Sequence, residues 1–135
     1  MTTNDSSRLD ELRKALLKLH KTLLDAQRVR YEREHGRVES TNGLLDLVLN
    51  HPYFEWLRVL SALIARLDEL MAEDHDVSAE LRAVIDKLRT LVRFEGNAGF
   101  TEPYREIIEA VPDALVAHVQ FSRLLADLAA GGRAG

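Results

Sequence analysis

The chain has no cysteine among its 135 residues, which excludes disulfide frameworks, thiolate metal sites and cysteine nucleophiles together. The same absence fits a reducing compartment, and the cytoplasm is the expected location. No apolar run approaches the roughly 18–20 residues of a membrane span. The opening MTTNDSSRLD lacks the basic-then-apolar order of a signal peptide, so neither membrane insertion nor export is expected. There is no glycine-rich phosphate loop and no G-x-S-x-G elbow, and the serines fall mostly at helix caps, so no catalytic constellation emerges and no catalytic residue is assigned. Proline is scarce: Pro52, Pro103 and Pro112 are the three in the chain, and each reads as a helix start or bend.

A chain of this length matches one domain with one core, and burying roughly two-thirds of the unfolded surface lets it fold without a disulfide or structural metal. A helical domain over residues 1–130 is expected, followed by a disordered tail over 131–135, GGRAG. The net charge of −4 argues against a general nucleic-acid binder. It is unevenly spread. From Arg8 to Arg37 there are nine Arg or Lys against five Asp or Glu, a local balance of +4 that leaves −8 elsewhere. A basic first helix docked against acidic neighbours accounts for this asymmetry.

Helical periodicity runs the length of the chain. Leu9, Leu12, Leu16, Leu19, Leu23 and Ala26 repeat at alternating spacings of three and four, the seam of a bundle helix. Ser7 with Asp10 resembles a capping box and Gly36 a stop, which predicts a first helix over Arg8–His35. Thr41 or Asn42 caps a short leucine-rich helix that Pro52 interrupts. Pro52 then opens a second long helix with Tyr53, Leu57, Leu60, Ile64, Leu67 and Met71 on one face. Ser78 caps a third, carrying Leu81 to Val92 and ending near Phe94. Thr101 with Pro103 starts the last helical region, which Pro112 bends or restarts, with Leu115, Val119, Leu124, Leu125 and Leu128 as its later apolar face. No strand-period segment or repeat occurs. The expected architecture is an all-α four-helix up-down bundle with an extra short helix between the first two long ones. The length of the first helix leaves apolar surface to pair with a second copy, so a homodimer is expected.

Metal-site patterns are incomplete. Glu32 and His35 make one Glu-x-x-His pair, and His51 with Glu55 one His-x-x-x-Glu, each without the companions a di-iron site requires. No metal and no cofactor is assigned. The most unusual stretch is RVRYEREHGR, where Arg28, Tyr31, Glu32 and His35 share one helix face. One reading is a ligand pocket, with Arg28 as an anion clamp, Tyr31 and His35 as hydrogen-bonding partners and Trp56 as an apolar wall. The other is a helix end tied by Arg–Glu pairs. Arg58, near the crowded start of the second long helix, must reach water or pair with an acid such as Glu32.

The segments LHKTLLDAQRVRYEREHGRVES and HPYFEWLRVLSALIARLDEL resemble a family of small uncharacterised bacterial helical proteins. The resemblance implies a bacterial, cytosolic, helical protein and transfers no site residue. Two functions are therefore weighed. The favoured one is a non-catalytic helical interaction or oligomerisation protein, pairing with itself or another protein through an exposed apolar stripe on the first helix. The alternative is a small-ligand or metal-binding bundle with a polar site at the C-terminal end of that helix. Neither nucleic acid nor membrane is an expected partner.

Overall fold

The computed structural model describes residues 3–134, with side chains described for residues 6–130. The elements in order are α1 (Thr3–His35), α2 (Thr41–Asn50), a 3-10 segment (Pro52–Leu57), α3 (Arg58–Ala72), α4 (Ser78–Val92), α5 (Ala98–Ala110) and α6 (Pro112–Ala134). Among the described residues there is no strand, so the chain is all-helical. The expected disordered tail falls on residues whose side chains, and in Gly135 the backbone as well, lie outside the described set.

The seam read in the first helix is the wall of the core. Leu9, Leu12, Leu16 and Leu23 are fully buried, and Leu19 and Ala26 nearly so. Each buried leucine contributes about 1.5–3 kcal/mol relative to exposure. The helix begins earlier than expected, at Thr3, so Ser7 and Asp10 stand inside it and do not form its capping box. It ends where the glycine requires. Gly36 adopts φ 89° and its amide donates to the Glu32 carbonyl at 3.0 Å, a left-handed terminus that a side chain would strain.

Four further boundaries differ from the sequence reading, each for a local reason. Ser40, not Thr41 or Asn42, caps α2, its Oγ accepting the Gly43 amide at 2.9 Å. The second long helix is split: its first two turns are 3-10, and α-helix begins only at Arg58. The tighter winding lets Phe54, Trp56 and Leu57 all reach buried positions, because three residues per turn direct them differently from an α-turn. Val77, not Ser78, is the N-cap residue of α4 and offers no side-chain cap, while Asp76 Oδ1, one residue earlier, accepts the Ser78 amide at 3.0 Å. Asn97 starts α5, with Oδ1 accepting the Gly99 amide at 2.7 Å, so Thr101 and Pro103 lie within the helix.

Two apolar faces are also shifted. In α6 the buried set is Ala114, Ala117, Phe121, Leu125 and Leu128, while Leu115 and Val119 are exposed. In α3, Leu70 is buried and Met71 exposed. The buried residues of α6 follow one another at spacings of three and four and form one helical face, with Leu115 and Val119 on the other side.

α1 packs against α3 and α6, α4 packs against the same two helices, and α5 lies against α6 and the 3-10 segment. One cluster of buried side chains runs from Leu9 to Leu128. The seam of α1 is therefore consumed by the core, and the apolar stripe expected to be exposed on it is buried from Leu9 to Ala26. Exposed large apolar side chains are found instead at Leu45 and Leu49 on α2 and at Leu115, Val116 and Val119 on α6, with Leu17 and Val29 alone on the outer side of α1 and Met71 on α3.

Candidate functional site

The i, i+4 spacing does bring Arg28 and Glu32 together, and the chain that follows closes over them. Glu32 Oε2 accepts the Val38 amide at 2.8 Å, and Arg28 donates to the Val38 carbonyl at 3.1 Å. Arg28 Nε lies 3.7 Å from Glu32 Oε1, an ion pair too long for a hydrogen bond. Val38 is buried by this clasp. The anion-clamp residues are thus engaged in holding the 36–40 link against α1.

Tyr31 and His35 stack one turn apart, ring centroids 4.4 Å, and His51, Tyr53 and Phe54 meet the Tyr31 ring at 5.4–5.6 Å. His35 Nδ1 lies 3.3 Å from the Tyr31 carbonyl. Burial first, then the carboxylate of Glu34, hold the Tyr53 hydroxyl above the usual phenol range. His51 Nδ1 accepts the Tyr53 amide at 3.1 Å, so the proton of the neutral ring is on Nε2. Among the described residues no group of three or more His, Asp or Glu is gathered to hold a metal ion.

Trp56 and Arg58 are directed elsewhere. The ring neighbours of Trp56 are Phe100 at 5.7 Å and Tyr104 at 6.5 Å, both on α5. Arg58 donates to the carbonyls of Val48 and His51, each at 3.1 Å, satisfying the open C-terminal end of α2. Of the two outcomes open to Arg58, water or an acid such as Glu32, pairing with Glu32 does not form, and backbone carbonyls take its hydrogen bonds.

On the α5 side of the 3-10 segment lies a cleft of 610 Å³. Its apolar walls are Tyr53, Trp56, Phe100, Pro52 and Pro103, and Lys87 and Glu55 are among its polar residues. Gln27, 6% exposed, also lines it. Gln27 Nε2 donates to the Tyr53 carbonyl at 2.7 Å, which fixes the amide orientation and leaves Oε1 buried without a partner. Trp56 Nε1 is buried and unpartnered in the same way. A buried polar group without a partner costs about 1–3 kcal/mol. The sequence reading passed over Gln27, although a glutamine four residues after Leu23 on the buried face of α1 is itself a signal.

Two further polar pairs are internal ties. His118 Nδ1 lies 2.6 Å from the Tyr104 hydroxyl, and His20 Nε2 lies 2.9 Å from Ser61 Oγ. Burial lowers both histidines below their ordinary value and pushes the Tyr104 hydroxyl well above its own. Phe94, left-handed at φ 61°, is held by the stacked His118 ring and by the Arg105 guanidinium 4.8 Å from its ring centre.

Comparison of the chain with protein-family models, curated proteins and solved structures finds no match. No helix among the described residues is long and apolar enough to cross a membrane.

Proposed function

We propose that the protein is a non-catalytic helical interaction module that pairs with a second copy of itself through α2. The observation that carries this reading is the composition and burial of that helix. Five of its ten residues are Leu44, Leu45, Leu47, Val48 and Leu49, and none is buried. Leu45 is 53% exposed and Leu49 59%. Leu47 and Val48 pack against the core of their own chain, so the apolar side left for a partner to cover is that of Leu45 and Leu49. The charge pattern suits self-pairing. Asp46 is the one ionisable residue of α2, and Asn50 donates to it at 2.9 Å, so two facing copies bring little like charge together.

Beneath α2 the proposal places a four-helix up-down bundle of α1, α3, α4 and α6. The mutual packing of α1 with α3 and α6, and of α4 with the same pair, supports that arrangement. The reading keeps the chain with the small bacterial cytosolic helical proteins it resembles.

Native mass spectrometry of the gently purified protein tests it. A dimer that becomes a monomer in the Leu45→Lys/Leu49→Lys variant is the expected result, and a wild-type monomer at the highest soluble concentration overturns the proposal. The same spectrum tests the rival site at the end of α1. A metal or organic adduct lost when Glu32 and His35 are changed to alanine would move the function there.

A further inference from the structure

The cleft beside Trp56 holds two polar atoms with opposite needs. Gln27 Oε1 lacks a donor and Trp56 Nε1–H lacks an acceptor, and both residues are 6% exposed. Buried side-chain groups left unpaired in a folded protein call for an absent partner. Here the two belong to residues that line one cavity, and its volume of 610 Å³ lies within the range of small-molecule sites.

The walls define the shape of the occupant. Tyr53, Trp56 and Phe100 offer aromatic surfaces, and Pro52 and Pro103 offer flat rings without N–H groups. Such walls favour a planar apolar body. The charges define its polarity. Lys87 and Glu55 are both exposed residues of the cleft, one of each sign, so the site demands no net charge of its ligand.

We propose that this cleft binds an uncharged planar heteroaromatic molecule whose edge carries a hydrogen-bond donor beside an acceptor, as in a fused-ring lactam. The ligand N–H donates to Gln27 Oε1 and its carbonyl accepts from Trp56 Nε1–H. Both protein atoms are covered from solvent in the free protein, so binding includes a side-chain shift that uncovers them.

The single tryptophan makes the test direct, because the chain gives one indole N–H signal in a nitrogen–proton correlation spectrum. Quinolin-2(1H)-one is titrated against the full-length protein, with its N-methyl analogue as the comparison compound that has lost the donor. The expected result is a shift of the Trp56 indole signal by quinolinone and about tenfold weaker binding of the N-methyl compound, the effect of one hydrogen bond near 1.4 kcal/mol. In Gln27→Leu, quinolinone should fall to the affinity of its N-methyl analogue, with the helical circular dichroism unchanged. Trp56→Phe keeps an aromatic ring and removes the N–H; followed by ligand-observed saturation transfer, it should weaken both compounds. An indole signal that stays still up to the solubility limit of quinolinone overturns the proposal. So does equal binding of the two compounds, or a preference that survives Gln27→Leu.

Discussion

Gln27 and Glu32 stand a little over one turn apart on α1, and their surroundings treat them in opposite ways. Glu32 lies at the end of the helix, where the chain turns back, and receives the Val38 amide at 2.8 Å with Arg28 beside it. Gln27 points among the aromatic residues of the 3-10 segment, gives one hydrogen bond to the Tyr53 carbonyl and keeps an acceptor with no partner. The charged, conspicuous end of α1 is therefore closed by its own backbone, and the quiet neutral residue sits at the open cavity. Chemical reactivity in a side chain says little about whether the fold leaves that side chain available.

Substitutions break or sharpen this contrast. The largest effect is expected at Phe54, fully buried and in contact with the Tyr31 and Tyr53 rings between the two regions. Phe54→Ala should cost about 3–5 kcal/mol in urea unfolding and loosen both the clasp and the cleft. A loss below about 1 kcal/mol would mean that the two regions are not joined through this ring.

Next comes the clasp itself. Glu32→Ala removes the acceptor of a buried amide and should cost about 1–2 kcal/mol, with the Val38 amide losing most of its protection from hydrogen exchange. If Val38 stays protected, the link is held by something other than Glu32.

Gln27→Leu should be nearer neutral, within about 1 kcal/mol of wild type, because it gives up one hydrogen bond and at the same time relieves one unpaired buried acceptor. A cost as large as that of Glu32→Ala would show that Oε1 has a strong partner in solution, and the contrast between the two residues would fail.

The smallest effect is a slope with pH. His20 and His118 are held below the ordinary value of 6.5 by burial, so below about 6.5 the unfolded chain binds more protons than the folded one. Stability is complete above that pH and declines as pH falls from it towards the folded-state values. Urea midpoints measured from about pH 7.5 down to pH 5.5 should fall, and fall less in the His20→Gln/His118→Gln variant. An unchanged slope in that variant would assign the acid sensitivity to other groups. His75, exposed and raised by its bond to the Asp76 backbone, acts on the other side of 6.5 and with the opposite sign, its contribution being lost as pH rises above that value.

Much of the fold was legible because helix formation and seam burial are short-range. The leucine spacing of α1, the stop at Gly36 and the restart at Pro112 depend on neighbours within a turn or two, and each stands where expected. Helix starts were less legible, because Ser40 and Asn97 compete with equally good capping residues beside them, and Val77, the N-cap residue of α4, offers no side-chain cap at all. The outer face of α6 was misread at Leu115 and Val119, since which side of a helix is covered depends on the crossing of its neighbours. Of the six residues singled out for a site, Arg28, Tyr31, Glu32 and His35 do share one end of α1, whereas Trp56 packs on α5 and Arg58 caps α2.

What the sequence by itself determined is the class of the chain, its long amphipathic first helix and the absence of thiol chemistry, because composition and periodicity act locally on every residue. What only the tertiary structure decided is which polar groups are spent and which are left over. The Gln27–Tyr53 bond joins residues 26 apart in the chain, and the cleft draws on α1, the 3-10 segment, α4 and α5 at once. Such pairings depend on how whole helices dock, and no spacing within a single helix encodes them.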